Sequence, residues 1–169
     1  MTFVRVTEQT LDFLVDIEAD QGLWPYAGEI SSDKEEHRER HRKFIGSDSD
    51  YDFLVYDKAF EAPIGVAYIS CKSKLRREWE IGYIILPPHQ RMGYGFQAAG
   101  RLLQFGFEDL NAHRIFATCN AHNIASSRIL QKLGMRQEAV HIEKLYWNGR
   151  WTDQLFYAIL DREFFDKAN

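Results

Sequence analysis

Apolar side chains recur along this chain with two different periods, and the switches between them mark the elements. Phe3 to Thr7 alternates apolar and polar positions, the period of a strand with one buried face. From Leu11 to Ala19 the spacing becomes helical: Leu11, Leu14 and Val15 share a face with Glu18, and Thr10 stands where an N-cap is expected. Gly22-Leu23-Trp24-Pro25-Tyr26-Ala27-Gly28 breaks that helix into an aromatic loop, because proline removes a donor and the glycines admit turns. Ser32 and Glu35 have the form of a capping box, which predicts a helix from about Asp33 to Ile45 whose charge run is a solvated face.

Strand-like runs follow at Asp52–Tyr56, Ile64–Ser73 and Glu78–Leu86, the last stopped by Pro87-Pro88. Phe96 to Leu110 predicts a helix, Arg114 to Cys119 a buried strand, and Ala125 to Leu133 a short helix ended by Gly134. Met135 to Leu160 predicts two strands joined at Asn148-Gly149, a strong hairpin signal. This order predicts an α/β fold of the α+β kind, a mixed, mostly antiparallel sheet with helices on both faces.

Composition narrows the function classes. A chain of 169 residues is long enough for one complete core and short for two, so a single domain over 1–169 is expected. Hydrophobic residues at 45% with charged residues at 27% exclude a disordered chain. A net charge of −4, with basic residues scattered among acidic ones, supplies no field for a polyanion, so nucleic acid is not expected as a partner. Cys71 and Cys119 are too few for a disulfide framework, and a reduced cytoplasmic setting is expected. No stretch approaches the roughly 20 apolar residues of a membrane span, and the N-terminus lacks the apolar run of a secretion signal.

The chemistry concentrates after the strand that holds Glu80. Pro87-Pro88-His89-Gln90-Arg91-Met92-Gly93-Tyr94-Gly95 leads from that strand into a helix, with glycines where a backbone must turn and approach a ligand closely. Successive N–H groups there, with the positive end of the helix, form a seat for phosphate. A third glycine, as in a dinucleotide fingerprint, is missing, and so is the Gly-Lys-Ser/Thr of a P-loop.

Gln90-x-x-Gly93-x-Gly95 resembles the acetyl-CoA loop of the GNAT N-acetyltransferases. Asn123-Ile124-Ala125-Ser126, running on to Lys132-Leu133-Gly134-Met135, resembles that superfamily's second motif. The resemblance covers essentially the whole chain, and Glu80-Ile81-Gly82-Tyr83 with Gly149-Arg150-Trp151-Thr152-Asp153 are similar to the Rim-type branch that acetylates ribosomal proteins. It implies a GNAT-like fold binding acetyl-CoA. The backbone of Tyr83, Ile84 and Ile85 would pair with the pantetheine arm, the backbone of Arg91, Met92, Gly93, Tyr94, Gly95 and Phe96 would cradle the pyrophosphate, and Asn123 would bond the arm near the thioester.

Acetylating an amine requires a base, because an ammonium has no free lone pair. Glu80 is the candidate, on the strand that leads to the loop, although alternation with Tyr83 and Ile85 leaves its facing open. Relatives that place the glutamate five residues before the motif asparagine would put it at Thr118. A backbone N–H near Ile84–Leu86 is placed to stabilise the developing negative charge on the carbonyl oxygen. For the acid that meets the leaving thiolate, the tyrosine common in the superfamily falls at Leu130, which cannot donate; the Rim-type resemblance implies Ser126 instead, which also falls beside the cofactor arm.

Trp24, Tyr26, Tyr146, Trp147 and Trp151 are candidates for the acceptor mouth, with Glu18, Glu29 or Asp153 to attract a cationic amine. His37 and His41 share a helix face with no evident third ligand, so no metal is expected. The acceptor is a small-molecule amine or the amine of a protein or peptide N-terminus. The rival reading is a non-catalytic acyl-CoA sensor of the same fold, and a homodimer is the first assembly to look for.

Overall fold

A computed structural model describes residues 1–28 and 30–166. In chain order the elements are β1 (Thr2–Arg5), α1 (Leu11–Glu18), α2 (Lys34–Arg42), β2 (Asp50–Tyr56), β3 (Gly65–Ser73), β4 (Glu78–Ile85), α3 (Tyr94–Gln104), β5 (Arg114–Asn120), α4 (Ile124–Lys132), β6 (Arg136–Trp147), β7 (Arg150–Leu160) and α5 (Asp161–Phe165). Short 3-10 turns lie at Gln21–Leu23 and Pro87–His89, and α3 runs on through a π-helical turn, Phe105–Asp109. The strands form one seven-stranded sheet in the order β1-β2-β3-β4-β5-β7-β6.

Every neighbouring pair is antiparallel except β4 and β5, which run parallel. That parallel pairing lasts only from Glu78–Arg114 to Glu80–Phe116. Beyond it β4 continues along β3 and β5 along β7, so the two strands part and leave a notch in the middle of the sheet.

Each face of the sheet buries its own apolar cluster, which is why Phe53, Leu54 and Val55 of β2 are buried in an unbroken run rather than alternately. Phe53, Val55, Ala67, Ile69, Trp79 and Ile81 pack with Leu102, Leu103 and Leu130 on the α3/α4 face. Leu54 and Val66 pack with Leu11, Leu14, Val15 and Ile17 on the α1/α2 face.

Local capping departs from the expected pattern in two places. The cap of α2 is Asp33, whose carboxylate accepts the N–H groups of Glu35 and Glu36; Ser32 does not cap it. A carboxylate holds two such donors better than one hydroxyl does. Thr10 makes no side-chain cap bond to α1, because its hydroxyl accepts the N–H of Thr7 at 3.0 Å. The hairpin turn is as expected: Asn148 and Gly149 take φ of 49° and 74°, the left-handed pair that a two-residue turn requires. The C-terminal helix α5 was not foreseen in the sequence. No helix among the described residues is long and apolar enough to cross a membrane.

Candidate active site

The seat predicted at the glycine loop is open. Arg91, Met92 and Gly93 are exposed, and Gln90 ties the loop to the end of β4 by donating from Nε2 to the carbonyl of Ile85 at 2.8 Å. Gly93 is the N-cap of α3 with φ of 84°, a backbone conformation that side chains with a Cβ rarely hold. It carries no capping side chain, so the N–H groups of the first turn of α3 remain free to meet an anion. At Gly95 the fit is tighter: a Cβ would stand 3.1 Å from Cδ1 of Ile129 in α4 and 3.4 Å from the Tyr83 ring.

The notch runs from this seat down to Glu80. Leu86 donates its N–H to the carbonyl of Ile64, and the alternation of an antiparallel ladder then fixes the rest of β4. The N–H and C=O of Ile84 turn toward Val66 of β3, whereas the C=O of Ile81, both groups of Tyr83 and the N–H of Ile85 turn into the notch. The expected run of Tyr83, Ile84 and Ile85 is thus narrowed to Tyr83 and Ile85, because successive residues of a strand present their polar groups to opposite neighbours.

The same alternation settles which way the side chains point. Tyr83 joins the α3/α4 face with Trp79 and Ile81. Glu80 takes the other face with Gly82, Tyr68 and Phe116, at the last residue where β4 still pairs with β5. Gly82 has no side chain because the ring of Tyr68 lies across it, so that a Cβ there would stand 2.1 Å from Cε1. The Glu80 carboxylate receives the ammonium of Lys72 at 2.9 Å.

On the α3/α4 side, Asn123 caps α4 by accepting the N–H of Ser126 at 3.1 Å, leaving its amide nitrogen for other work. Ser126 neighbours both the Tyr83 phenol and the Cys119 thiol. Burial pushes the phenol of Tyr83 up to about 12, with Ser126 pulling the other way. The Tyr83 hydroxyl is buried and has no hydrogen-bond partner among the described residues. A buried orphan of this kind costs roughly 1–3 kcal/mol and fits a ligand in the notch. Sequence reasoning used only the backbone of Tyr83; the signal available was its odd spacing from Glu80, which puts the two side chains on opposite faces. Leu130, in the superfamily's tyrosine position, is buried in the core.

The acceptor candidates divide. Trp24 is half-buried against the α1 cluster, and its indole N–H donates to the carbonyl of Ile17 at 2.8 Å, which anchors the loop. Tyr26 is exposed at the rim, stacked on Trp147 with 6.0 Å between ring centroids, and its carbonyl accepts Nδ2 of Asn120 at 3.1 Å. Tyr146 is exposed and meets Trp151 edge-on. Asp153 accepts the N–H of Glu143 at 2.8 Å within the hairpin, and Glu29 lies outside the described residues.

Glu18 faces α2, where it supplies the third ligand-type group that the helical spacing of His37 and His41 left out: one atom from each of the three residues lies within 4.8 Å of the others. Behind them Asp52 is buried in β2, its carboxylate 2.6 Å from Nδ1 of His41. Burial disfavours a charged His41 ring, but the bonds to Asp52 and Glu18 outweigh it and raise the pKa to about 9.

Residues 1–136 match the Acetyltransferase (GNAT) domain family, and the chain belongs to it. An uncharacterized N-acetyltransferase of Bacillus subtilis, YnaD, is 41% identical over 85 residues; the match covers 50% of each chain, so this chain spans about half the length of that relative. YdaF, a putative ribosomal N-acetyltransferase of Bacillus subtilis, is 24% identical over 161 residues, covering 92% of this chain and 86% of YdaF. The spermidine N(1)-acetyltransferase of Vibrio cholerae is 26% identical over 134 residues, 79% of this chain and 77% of that one. A crystal structure of spermidine N-acetyltransferase from Vibrio cholerae in complex with CoA and spermine superposes with a TM-score of 0.88 at 24% identity, over 97% of both chains, a likeness of fold.

Proposed function

We propose that this chain is an N-acetyltransferase that moves the acetyl group of acetyl-CoA directly to a primary amine. The observation that carries this reading is the notch between β4 and β5, which joins the exposed loop at Gly93 to the carboxylate of Glu80. Bound there, the cofactor supplies an acetyl thioester whose carbonyl carbon takes the lone pair of the amine and whose sulfur leaves.

The chain's own groups do the rest. The first-turn N–H groups of α3 hold the pyrophosphate, and the notch-facing backbone of Tyr83 and Ile85 lines the arm as an added strand would. The N–H of Ile85 donates to the carbonyl oxygen as charge gathers on it. Glu80 takes the proton of the incoming ammonium, which displaces the Lys72 ammonium now 2.9 Å from its carboxylate. The Tyr83 hydroxyl, with Ser126 beside it, delivers a proton to the sulfur, and the second proton that the nitrogen sheds on becoming an amide restores the phenol; its raised pKa keeps it protonated near neutral pH.

The acceptor we propose is a small cationic amine of the polyamine kind. Glu80, Glu18 and Asp52 on the α1/α2 side of the notch each hold a cationic group of this chain, Lys72, Arg40 and His41, a setting suited to a cationic amine that exchanges with one of them, and relatives named for spermidine stand alongside the ribosomal one. A panel of spermidine, spermine and short peptides with free N-termini, read by thiol release, tests it. Turnover with the polyamines is expected. Turnover confined to peptides would move the acceptor to the Rim-type class, and saturable acetyl-CoA binding without turnover on any amine would make the chain a sensor.

A further inference from the structure

Glu18, His37 and His41 converge on one point, and a cation already sits there. A single guanidinium nitrogen of Arg40 lies 3.1 Å from Oε2 of Glu18, 2.9 Å from Nδ1 of His37 and 3.1 Å from Nε2 of His41. That nitrogen carries two protons, which Glu18 and the lone pair of His37 can take, while the charged His41 ring presents a third N–H to the same point.

The partners behind the histidines fix which ring nitrogen is the acceptor. His37 approaches the Ser31 backbone carbonyl through Nε2 at 2.7 Å. A carbonyl can only accept, so Nε2 carries the proton and the lone pair of Nδ1 faces the shared point. His41 gives its Nδ1 proton to the Asp52 carboxylate at 2.6 Å, and its Nε2 faces the same point, where an ion binds by displacing the second ring proton that Asp52 and Glu18 hold in place near neutral pH. Backbone carbonyls and carboxylates behind metal-binding histidines orient the rings in this way.

We propose that Glu18, His37 and His41 form a binding site for a divalent transition ion of the zinc class, with the Arg40 guanidinium holding the position until the ion displaces it. Two imidazoles and one carboxylate, with a fourth position open, are a ligand set that Zn2+ accepts. His37 and His41 lie one turn apart on the same face of α2, and Glu18 comes from the end of α1, so the ion ties the two helices together. Zinc bonds of about 2.0–2.2 Å place ligand atoms roughly 3.3–3.6 Å apart, so the three groups need to close by about an ångström from their present limit of 4.8 Å. His37 and His41 are buried while the Arg40 side chain is 46% exposed, so Arg40 is free to swing into solvent. Glu18 and Asp52 place two negative charges about the point, balanced by the Arg40 guanidinium and the charged His41 ring; a divalent ion takes over both positive charges when Arg40 swings out and the His41 Nε2 proton leaves.

The test is metal binding by tag-free, chelator-stripped full-length protein, titrated with Co2+ and followed by its visible absorption, then competed with Zn2+. It needs no acetyl transfer and stands whether or not that reading does. One Co2+ per chain with the intense bands of tetrahedral coordination is expected. His37→Gln and Glu18→Gln should abolish those bands, Asp52→Asn should weaken binding about 10–100-fold, and Arg40→Ala should tighten it by removing the competing cation. Circular dichroism confirms that each variant is folded, and Glu18→Gln, at the less buried ligand, serves where a histidine variant is not. No tetrahedral spectrum, binding that survives both His37→Gln and Glu18→Gln, or an Arg40→Ala protein that binds no more tightly would overturn the proposal.

Discussion

The two sides of the notch are built from different materials. On the α3/α4 side the seat is main chain: free N–H groups at Gly93 to Phe96 and a strand edge at Tyr83 and Ile85, with one buried hydroxyl. On the α1/α2 side the groups are charged side chains from separate elements: Glu80 from β4, Lys72 from β3, Asp52 from β2, and Glu18 and the histidines from the helices. A backbone seat grips phosphates common to every reaction of one cofactor, whereas side chains can be exchanged without disturbing the fold. On the proposed function, the contrast separates what would bind the donor from what would choose and deprotonate the acceptor.

The largest test of this division is Glu80→Gln. Removing a general base lowers the turnover rate by about 10²–10⁴, and because the residue lies on the acceptor side, acetyl-CoA affinity measured by calorimetry should not change. An unaltered rate would move the base elsewhere.

Gly93→Val attacks the other side. A left-handed conformation costs an L-residue about 1–2 kcal/mol, so acetyl-CoA binding should weaken roughly ten-fold. The fold should survive, since a Cβ at Gly93 meets nothing within 4 Å. Equal affinities for variant and parent would remove the loop from the binding site.

Tyr83→Phe should reduce kcat several-fold with little change in KM, because Ser126 remains to share the proton transfer. The unliganded variant should melt no lower than the parent, as the hydroxyl it loses has no partner. A lower melting temperature would mean the hydroxyl is structurally bonded.

The smallest effect lies outside the notch, where Arg114 and Arg136 both hold Glu138. The hydrogen bond from Arg114 chiefly keeps that carboxyl below its ordinary 4.5, with Arg136 adding to it against some desolvation. A lowered folded-state pKa means that the stabilisation is present above about pH 4.5 and fades as the pH falls through the folded value. Glu138→Gln should therefore cost at most about 1 kcal/mol at pH 7 and less at pH 3 in urea unfolding, with acetyl-CoA affinity unmoved. A change in that affinity would mean that the notch is coupled to the sheet's distant strands.

Much of the donor side was legible in the sequence, because its signal is local. Gly93 and Gly95 announce the turn, Pro87-Pro88 ends the strand, and Asn123 caps the next helix, all within spans that short-range sterics govern. The acceptor side was not. Glu80 is a candidate by its position before the loop, but its facing depended on the register with β3 and β5. Ser32 looked like the cap of α2, yet Asp33 took it, since both residues fit the pattern and only the backbone path chose. Trp24 reads as a mouth residue, and only the structure shows that its indole also ties the loop to the carbonyl of Ile17.

By itself, then, the sequence determined where most strands and helices fall, that they make a mixed sheet, and that a loop with two glycines opens α3. The tertiary structure alone decided that β4 and β5 part after Glu80, that the Tyr83 hydroxyl is left orphaned, and that Glu18 meets His37 and His41 around Arg40. The physical reason is distance along the chain. Turns and caps are set by neighbours a few residues apart, whereas a cluster drawn from several elements exists only once the sheet has fixed their register and the helices have packed on it.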